Sequence, residues 1–183
     1  METEAAMLEA LRSKDRKERE RAEFEVFQHY QSRVRAILSR VVGSGAGLDD
    51  AVQESFIDIF RGLPRFEGRS GLGTWIYRVA LRRGWKCAAC QKAAREREVV
   101  SEAVVDNTAS PGTRDDLQTR EMARSLERAL KQLSFEHRSI IALSGLEGLS
   151  PAEVAATLGI PLGTVHSRLS RARARLKELL EAG

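Results

Sequence analysis

Residues 149–180 read LSPAEVAATLGIPLGTVHSRLSRARARLKELL, and their pattern decides the fold of this part of the chain. Ser150 and Glu153 have the spacing of a capping box, in which each side chain satisfies a free amide at a helix start, and Pro151 suits the first helical position. Gly159 ends this short helix, and a longer basic helix follows. Helix, glycine turn and basic helix together predict a helix-turn-helix.

The second helix of this motif separates an apolar stripe from a polar, basic face. The stripe consists of Val165, Leu169, Ala172, Leu176 and Leu179. The outward side supplies the candidate DNA contacts, namely Gly163, Thr164, His166, Ser167, Arg168, Ser170, Arg171 and Arg175. Short polar groups near the start of such a helix suit base edges in the major groove, and arginines reach guanine edges or phosphates. A helix that docks on another protein through a basic face shows the same pattern, so both interpretations stand at this point.

Helical periodicity continues through the N-terminal part of the chain. Apolar residues recur at threes and fours along 3–42, and those predicted to be buried are Phe24, Phe27, Val34, Ile37, Leu38 and Val41. Asp49 and Asp50 start a second helix that Pro64 ends, and a third helix is predicted over 74–97. The glycine-rich segment 65–73 between them predicts a flexible basic loop.

The segment 98–120 has few large apolar residues, weak periodicity and a Ser-Pro-Gly break, which together predict a linker. Two helices follow it, over 117–133 and 135–146. The first of them has the apolar residues Met122, Leu126, Ala129, Leu130 and Leu133. The sequence therefore predicts an all-α protein with two small helical domains joined by a flexible linker.

Composition excludes several classes of protein. Of the 183 residues, 31% are charged, 42% are apolar and 5% are aromatic, as in a soluble globular chain. No apolar stretch is long enough to span a bilayer, and the N-terminal sequence lacks the apolar core of a secretory signal. We therefore expect a cytoplasmic protein that does not insert into membranes.

The net charge of +4 is small, but the charges are segregated along the chain. Residues 61–97 carry 10 Lys or Arg against 2 Asp or Glu, and residues 161–183 carry 5 against 2. The intervening residues 98–160 carry 6 against 10. Two basic blocks separated by an acidic one indicate two contacts with a polyanion.

Two stretches resemble the extracytoplasmic-function (ECF) sigma factors of bacterial RNA polymerase. Residues 126–180, which include LSFEHRSIIALSGLEGLSPAEV, resemble domain 4 of that family. LDDAVQESFIDIF at 48–60 and RFEGRSGLGTWIYRVA at 65–80 resemble its domain 2. The resemblance divides the chain into a charged extension (1–21), domain 2 (22–97), the linker (98–120) and domain 4 (121–183).

The resemblance implies a promoter-specificity subunit whose partners are core RNA polymerase, promoter DNA and an anti-sigma factor. The polymerase clamp would contact Asp49, Asp50, Gln53, Glu54, Phe56 and Ile57. The −10 promoter element would be bound by Arg65, Phe66, Arg69, Ser70, Gly71, Tyr77, Arg78, Arg82, Arg83 and Lys86, with the loop capturing a flipped base. The helix-turn-helix residues given above would bind the −35 element.

The chain departs from the family pattern at two positions. Arg82 stands where the family commonly has an Asn that helps to recognise −10 bases, so Arg82 is expected to bind DNA without that base contact. His166 stands where the family commonly has Lys, and an imidazole suits a base edge better than a phosphate.

Cys87 and Cys90 form a CxxC motif within a predicted helix. A structural zinc site normally needs four ligands, and the chain has no second cysteine pair, so we predict neither metal nor cofactor. Two other functions remain open beside a non-enzymatic sigma factor. One is a helix-turn-helix regulator that acts without stoichiometric polymerase binding, and the other is a thiol redox enzyme, which would lack the usual strand and helix pattern.

Overall fold

The computed structural model describes residues 2–45, 47–97 and 114–182, and every regular element in these ranges is helical. The helices are α1 (Glu2–Leu11), α2 (Arg16–Val42), α3 (Leu48–Gly62), α4 (Leu72–Arg97), α5 (Arg114–Lys131), α6 (Phe135–Gly145), α7 (Pro151–Leu158) and α8 (Leu162–Glu181), with a 3₁₀ turn at Leu63–Arg65. The prediction of an all-α fold is confirmed. Within the same ranges, no helix is both long and apolar enough to cross a bilayer.

Helices α2, α3 and α4 surround the core of the N-terminal half (residues 2–97). Their fully or almost fully buried residues include Val34, Ile37, Leu38 and Val41, as the periodicity predicts, together with Ile59, Ile76 and Ala80. Helix α4 approaches α2 closely at Gly84, where a Cβ atom would lie 2.8 Å from Cδ2 of Leu38. Glycine at this position therefore permits the close approach of the two helices.

The first predicted helix is two helices. A turn separates α1 from α2, and Asp15 caps α2 by accepting a hydrogen bond from the Lys17 amide at 2.9 Å. Phe24, which we expected in the core, is 60% exposed, because α2 buries Ala22 and Val26 on its inner side instead. Leu11 at the end of α1 is buried, so α1 packs on the domain although it was expected to extend from it.

Helices α5 to α8 form the C-terminal half (residues 114–182). Its most deeply buried residues include Ile140, Leu143, Val154, Val165 and Ala172. Helix α5 begins at Arg114, within the expected linker, while residues 98–113 lie outside the described residues. Met122 on α5 is 72% exposed and does not join the predicted core, whereas Ala129 and Leu130 do.

The two halves pack against each other through five helices. Helix α2 contacts α5 and α6, and α4 contacts α7. Buried residues from both halves belong to one continuous apolar cluster. The C-terminal half therefore lies against α4, the helix that carries half of the residues predicted to contact the −10 element.

Candidate nucleic-acid interface

The start of the helix-turn-helix is fixed by local hydrogen bonds. The Ser150 hydroxyl accepts a hydrogen bond from the Glu153 amide at 3.3 Å, and the Glu153 carboxylate accepts one from the Ser150 amide at 2.8 Å. The Ser150 hydroxyl and amide lower the pKa of Glu153 because they stabilise its charged form. Gly159 ends α7 with a φ of 67°, the left-handed conformation that glycine adopts readily. The predicted capping box and glycine turn are confirmed.

The outer face of α8 presents the predicted −35 residues to solvent. Gly163, His166, Ser167, Ser170, Arg171 and Arg175 are exposed, and Thr164 and Arg168 are half-buried. On the opposite side, Val165 and Ala172 are fully buried. Arg171 donates a hydrogen bond from Nε to the Ser167 carbonyl at 3.2 Å, which holds its side chain along the helix surface. The polar and basic side of α8 therefore faces solvent.

A small cavity lies beside the loop that follows the 3₁₀ turn. It has a volume of about 180 Å³ and is lined by Arg65, Phe66, Glu67, Arg69, Ser70, Trp75 and Arg78. The rings of Phe66 and Trp75 pack with their centroids 5.3 Å apart, and Arg69 forms an ion pair with Glu67 at 2.6 Å. Aromatic rings, guanidinium groups and a carboxylate are together suited to hold a planar, polar base. Neither Glu67 nor Trp75 was among the residues predicted from the sequence to contact the −10 element.

The other predicted −10 residues on α4 fall into two groups. Arg82 and Lys86 are exposed. Tyr77 and Arg83, which were also predicted to contact the −10 element, have internal partners in this structure. Tyr77 is only 3% exposed. Arg83 pairs with Glu54 at 2.9 Å and with Asp58 on α3, so its charge joins two helices. The Asp58 hydrogen bond also raises the pKa of Arg83.

The residues predicted to contact polymerase form an exposed strip on α3, with one exception. Asp49, Asp50, Gln53, Glu54 and Ile57 are all exposed. Phe56 is 4% exposed and packs edge-on against Phe27, with ring centroids 4.8 Å apart. The Phe56 ring therefore faces the interior of the domain, and its contact with polymerase stays a prediction.

Tyr77 and Arg78 connect the two halves of the molecule. The Tyr77 hydroxyl donates a hydrogen bond to the Glu147 carboxylate, whose side chain is only 8% exposed, and Arg33 lies 3.9 Å from the same carboxylate. Burial and the Glu147 carboxylate raise the pKa of Tyr77. Arg78 donates a hydrogen bond to the Ala156 carbonyl on α7. The sequence contained no signal for these contacts, since Glu147 lies in a turn that is 70 residues from Tyr77 along the chain.

A groove of about 660 Å³ follows the same junction. It is lined by Val42, Trp85, Ala88, Ala89, Gln91, Lys131, Leu133, Ser134, Phe135 and Arg138. Trp85 is 62% exposed and stacks on Phe135 with ring centroids 6.3 Å apart. Nε of Arg138 is buried without a hydrogen-bond partner, and burial lowers the pKa of this guanidinium. The groove thus combines an apolar floor with an incompletely satisfied cation.

The two thiols differ in environment. Cys90 is exposed and Cys87 is half-buried, and both are free. Burial, followed by the neighbouring Cys90 and the carboxylates of Glu54 and Asp50, raises the pKa of Cys87. A raised pKa reduces the thiolate fraction and opposes nucleophilic chemistry. Among the residues described, no group of three or more His, Cys, Asp or Glu is arranged to hold a metal.

Two family models match the chain. Residues 26–84 match "Sigma-70 region 2", and residues 123–176 match "Sigma-70, region 4". The ECF RNA polymerase sigma-E factors of Salmonella typhimurium strain LT2 and Escherichia coli strain K12 are each 34% identical over 79% of this chain and 78% of their own. That of Haemophilus influenzae is 31% identical over 98% of this chain and 96% of its own.

Two solved structures share the fold. CnrH, in complex with the cytosolic domain of CnrY, has a TM-score of 0.70 at 22% identity and covers 98% of this chain and 97% of its own. The sigma factor RpoE from Bartonella quintana, in complex with the anti-sigma factor NepR, has a TM-score of 0.68 at 28% identity. That match covers 86% of this chain and 95% of the RpoE chain.

Proposed function

The chain belongs to the ECF sigma factors of RNA polymerase. We propose which of its surfaces binds each promoter element, core polymerase and an anti-sigma factor. Sigma factors are non-catalytic initiation factors, so they act by binding the promoter and the polymerase and not by covalent chemistry. We assign no enzymatic activity to this chain, and we assign it to the cytoplasm, where polymerase and chromosome meet. The observation that carries the proposal is the exposed basic face of α8 together with the base-sized cavity beside α4.

Helix α8 is assigned to the −35 element. Its exposed N-terminal side chains, His166 and Ser167, suit base edges, whereas Arg168, Arg171 and Arg175 suit guanine edges or phosphates. Each phosphate contact contributes affinity that falls as salt rises, because counterions are released on binding. The contact is weak alone and becomes effective when polymerase holds both DNA-binding surfaces on one promoter.

The cavity beside α4 is assigned to one flipped base of the −10 element. Extracting a base from the stack costs a few kcal/mol, which the Phe66 and Trp75 rings and the surrounding cations would offset. Glu67 can accept a hydrogen bond from an exocyclic amine of that base once its ion pair with Arg69 opens. The strand backbone would follow the exposed cations of Arg82 and Lys86.

The exposed strip of α3 is assigned to the polymerase clamp. Its acidic and polar side chains favour a basic partner surface, and Ile57, 41% exposed, provides an apolar centre. Because Arg83 pairs with Glu54 and Asp58, and Arg35 pairs with Asp49, the side chains of Asp50 and Gln53 are expected to carry most of the contact.

The packing of the two halves is assigned to an inactive state. Arg78 lines the base cavity, yet it is held by the Ala156 carbonyl of α7. Binding of the −10 strand to Arg78 therefore requires α7 to move away from α4. Core polymerase would favour the separated state if it binds each half at a distant position, since a ligand shifts an equilibrium by its differential affinity.

The groove at the junction is assigned to an anti-sigma factor. Bartonella quintana RpoE, a relative by fold and sequence, forms a complex with the anti-sigma factor NepR. Here the exposed ring of Trp85 and the unpartnered Nε of Arg138 favour an amphipathic segment with an apolar residue beside a carboxylate. A segment bound there would contact both halves and stabilise the inactive packing. Trp85→Ala would then weaken inhibition of transcription, whereas the exposed control Met122→Ala would not.

Run-off transcription with purified core polymerase tests the function. The wild-type chain should support transcription only from templates that carry both promoter elements, and Arg168→Ala should remove the dependence on the −35 sequence. Sequence-specific binding of the isolated chain to duplex DNA, with no effect on core polymerase, would instead favour the helix-turn-helix regulator.

A further inference from the structure

Helix α1 ends against the base-capturing loop (residues 66–71). Nη2 of Arg12 donates a hydrogen bond to the Phe66 carbonyl at 3.0 Å, across 54 residues of sequence. Leu11, next to it, is 4% exposed and shares the apolar core with Leu63 and Phe66. The segment expected to be a loose extension therefore contacts the first residue of this loop.

The backbone around Arg12 is itself held in place. The Arg12 amide donates to the Glu9 carbonyl at 3.0 Å, which continues the last turn of α1. Arg19 donates from Nη1 to the Ser13 carbonyl at 3.0 Å, and the Asp15 amide donates to the Ser13 hydroxyl at 3.1 Å. Because both sides of the turn are fixed, the Arg12 guanidinium approaches Phe66 from a defined position.

Phe66 lies at the junction between the 3₁₀ turn and the exposed loop. Its amide donates to the Leu63 carbonyl at 3.0 Å and closes the 3₁₀ turn, while its ring packs on Trp75 and lines the base cavity. The next residue, Glu67, is exposed, and Gly68 has a φ of 74°. A hydrogen bond to the Phe66 carbonyl fixes the peptide plane between Phe66 and Glu67, and thus the direction in which Glu67 leaves the turn.

We propose that Arg12 is a positioning residue for −10 recognition, which it serves by fixing the Phe66 carbonyl and with it the wall of the base cavity. The inference rests on the assignment of that cavity to a flipped base. Arg12 does not contact DNA in this account. Its loss should loosen the loop and reduce discrimination between bases at the flipped position, while polymerase binding through α3 stays unchanged.

The test compares Arg12→Met, which keeps the aliphatic stem and removes the donors, with Arg12→Lys, which restores one donor. Arg16→Met is the matched control, because Arg16 is exposed and pairs along its own helix with Glu20 at 3.2 Å. Each full-length variant is combined with core polymerase on promoters that carry each of the four bases at the flipped position. A 2-aminopurine placed there reports base capture by its fluorescence.

Arg12→Met should reduce the preference for the cognate base about fivefold, as loss of one hydrogen bond implies, and should lower the 2-aminopurine signal. Arg12→Lys should recover part of the base preference and part of the 2-aminopurine signal. Arg16→Met should match the wild type in both measurements. A folded Arg12→Met with unchanged base preference and fluorescence would overturn the proposal. A general loss of thermal stability and core binding with unchanged preference would also overturn it, since that is a structural role. Failure of the wild type itself to bind core polymerase would instead refute the proposed function.

Discussion

The hydroxyl of Tyr77 on α4 donates a hydrogen bond to the carboxylate of Glu147, in the turn after α6, and the contact joins the two halves of the molecule. Both groups are shielded from water, since Tyr77 is 3% exposed and the Glu147 side chain 8%. Arg33 on α2 completes the cluster at 3.9 Å from Glu147. A tyrosine predicted to face DNA is thus part of an internal contact in this state.

Removal of the Tyr77 hydroxyl should weaken the packing of the two halves. Tyr77→Phe leaves Glu147 with Arg33 alone, and we expect a loss of about 1–2 kcal/mol from the free energy of unfolding. Fluorescence energy transfer between dyes on α3 and α8 should decrease, because the halves separate more often. Glu136→Gln, on an exposed residue of α6, serves as the control and should leave the transfer efficiency unchanged.

The same contact should make stability depend on alkaline pH. The pKa of Tyr77 is raised above its usual value of 10.0, so the folded state retains the phenol proton longer than the unfolded state does. The contribution of the Tyr77 hydrogen bond to the free energy of unfolding is complete below pH 10. It is lost as the pH rises through the pKa of Tyr77 in the folded state. The free energy of unfolding, measured with denaturant at pH 9, 10 and 11, should decline as the pH rises. The decline should be smaller in Tyr77→Phe than in the wild type. Parallel declines in the two proteins would contradict the prediction.

Arginines on the outer face of α8 should determine −35-dependent transcription. Arg168→Ala and Arg171→Ala should each cost about 1–3 kcal/mol in promoter binding by the polymerase complex, and weaken its salt dependence if they contact phosphates. Core binding through α3 should be unaffected, because both arginines belong to α8. Lys177→Ala is a matched control, since Lys177 lies further along the same helix and pairs with Glu181 at 3.6 Å. Equal loss of core binding in a folded variant would count against the assignment.

The two cysteines should react at different rates. Cys90 is exposed, whereas Cys87 is half-buried with a raised pKa, so iodoacetamide should modify Cys90 about tenfold faster. Mass spectrometry after timed quenching measures both rates. Blocking of Cys90 alone should leave transcription unchanged. Preferential reaction at Cys87, with loss of activity, would reopen the thiol redox hypothesis.

Features set by neighbouring residues were predictable from the sequence, whereas those set by tertiary contacts were not. The capping box at Ser150 and the turn at Gly159 depend on residues within one helical turn, and both occur as predicted. Tyr77 lies on a helix face that would be free if the halves did not pack together. Arg83 looks like another DNA-binding cation in a basic block, yet it pairs with two carboxylates of α3 that adjacent sequence does not reveal.

The end of α1 shows the same limit. A run of charges after Leu11 predicts an exposed extension, and most of those charges are indeed exposed. The structure nevertheless places Leu11 in the core and Arg12 on the Phe66 carbonyl, through contacts that span more than 50 residues. Periodicity identifies which residues of a helix are apolar, but it does not identify the surface on which a short helix docks.

The central claim is that the exposed strip of α3 binds core RNA polymerase, and quantitative binding to purified core polymerase tests it most directly. The variant Gln53→Ala/Glu54→Arg alters the strip. Arg83→Gln is its control because it removes the same Glu54 ion pair but leaves every side chain of the strip in place. We predict stoichiometric binding by the wild type, at least about tenfold weaker binding by the double variant, and near wild-type binding by the control. Absence of wild-type binding, or equal binding by all three folded proteins, would contradict the account.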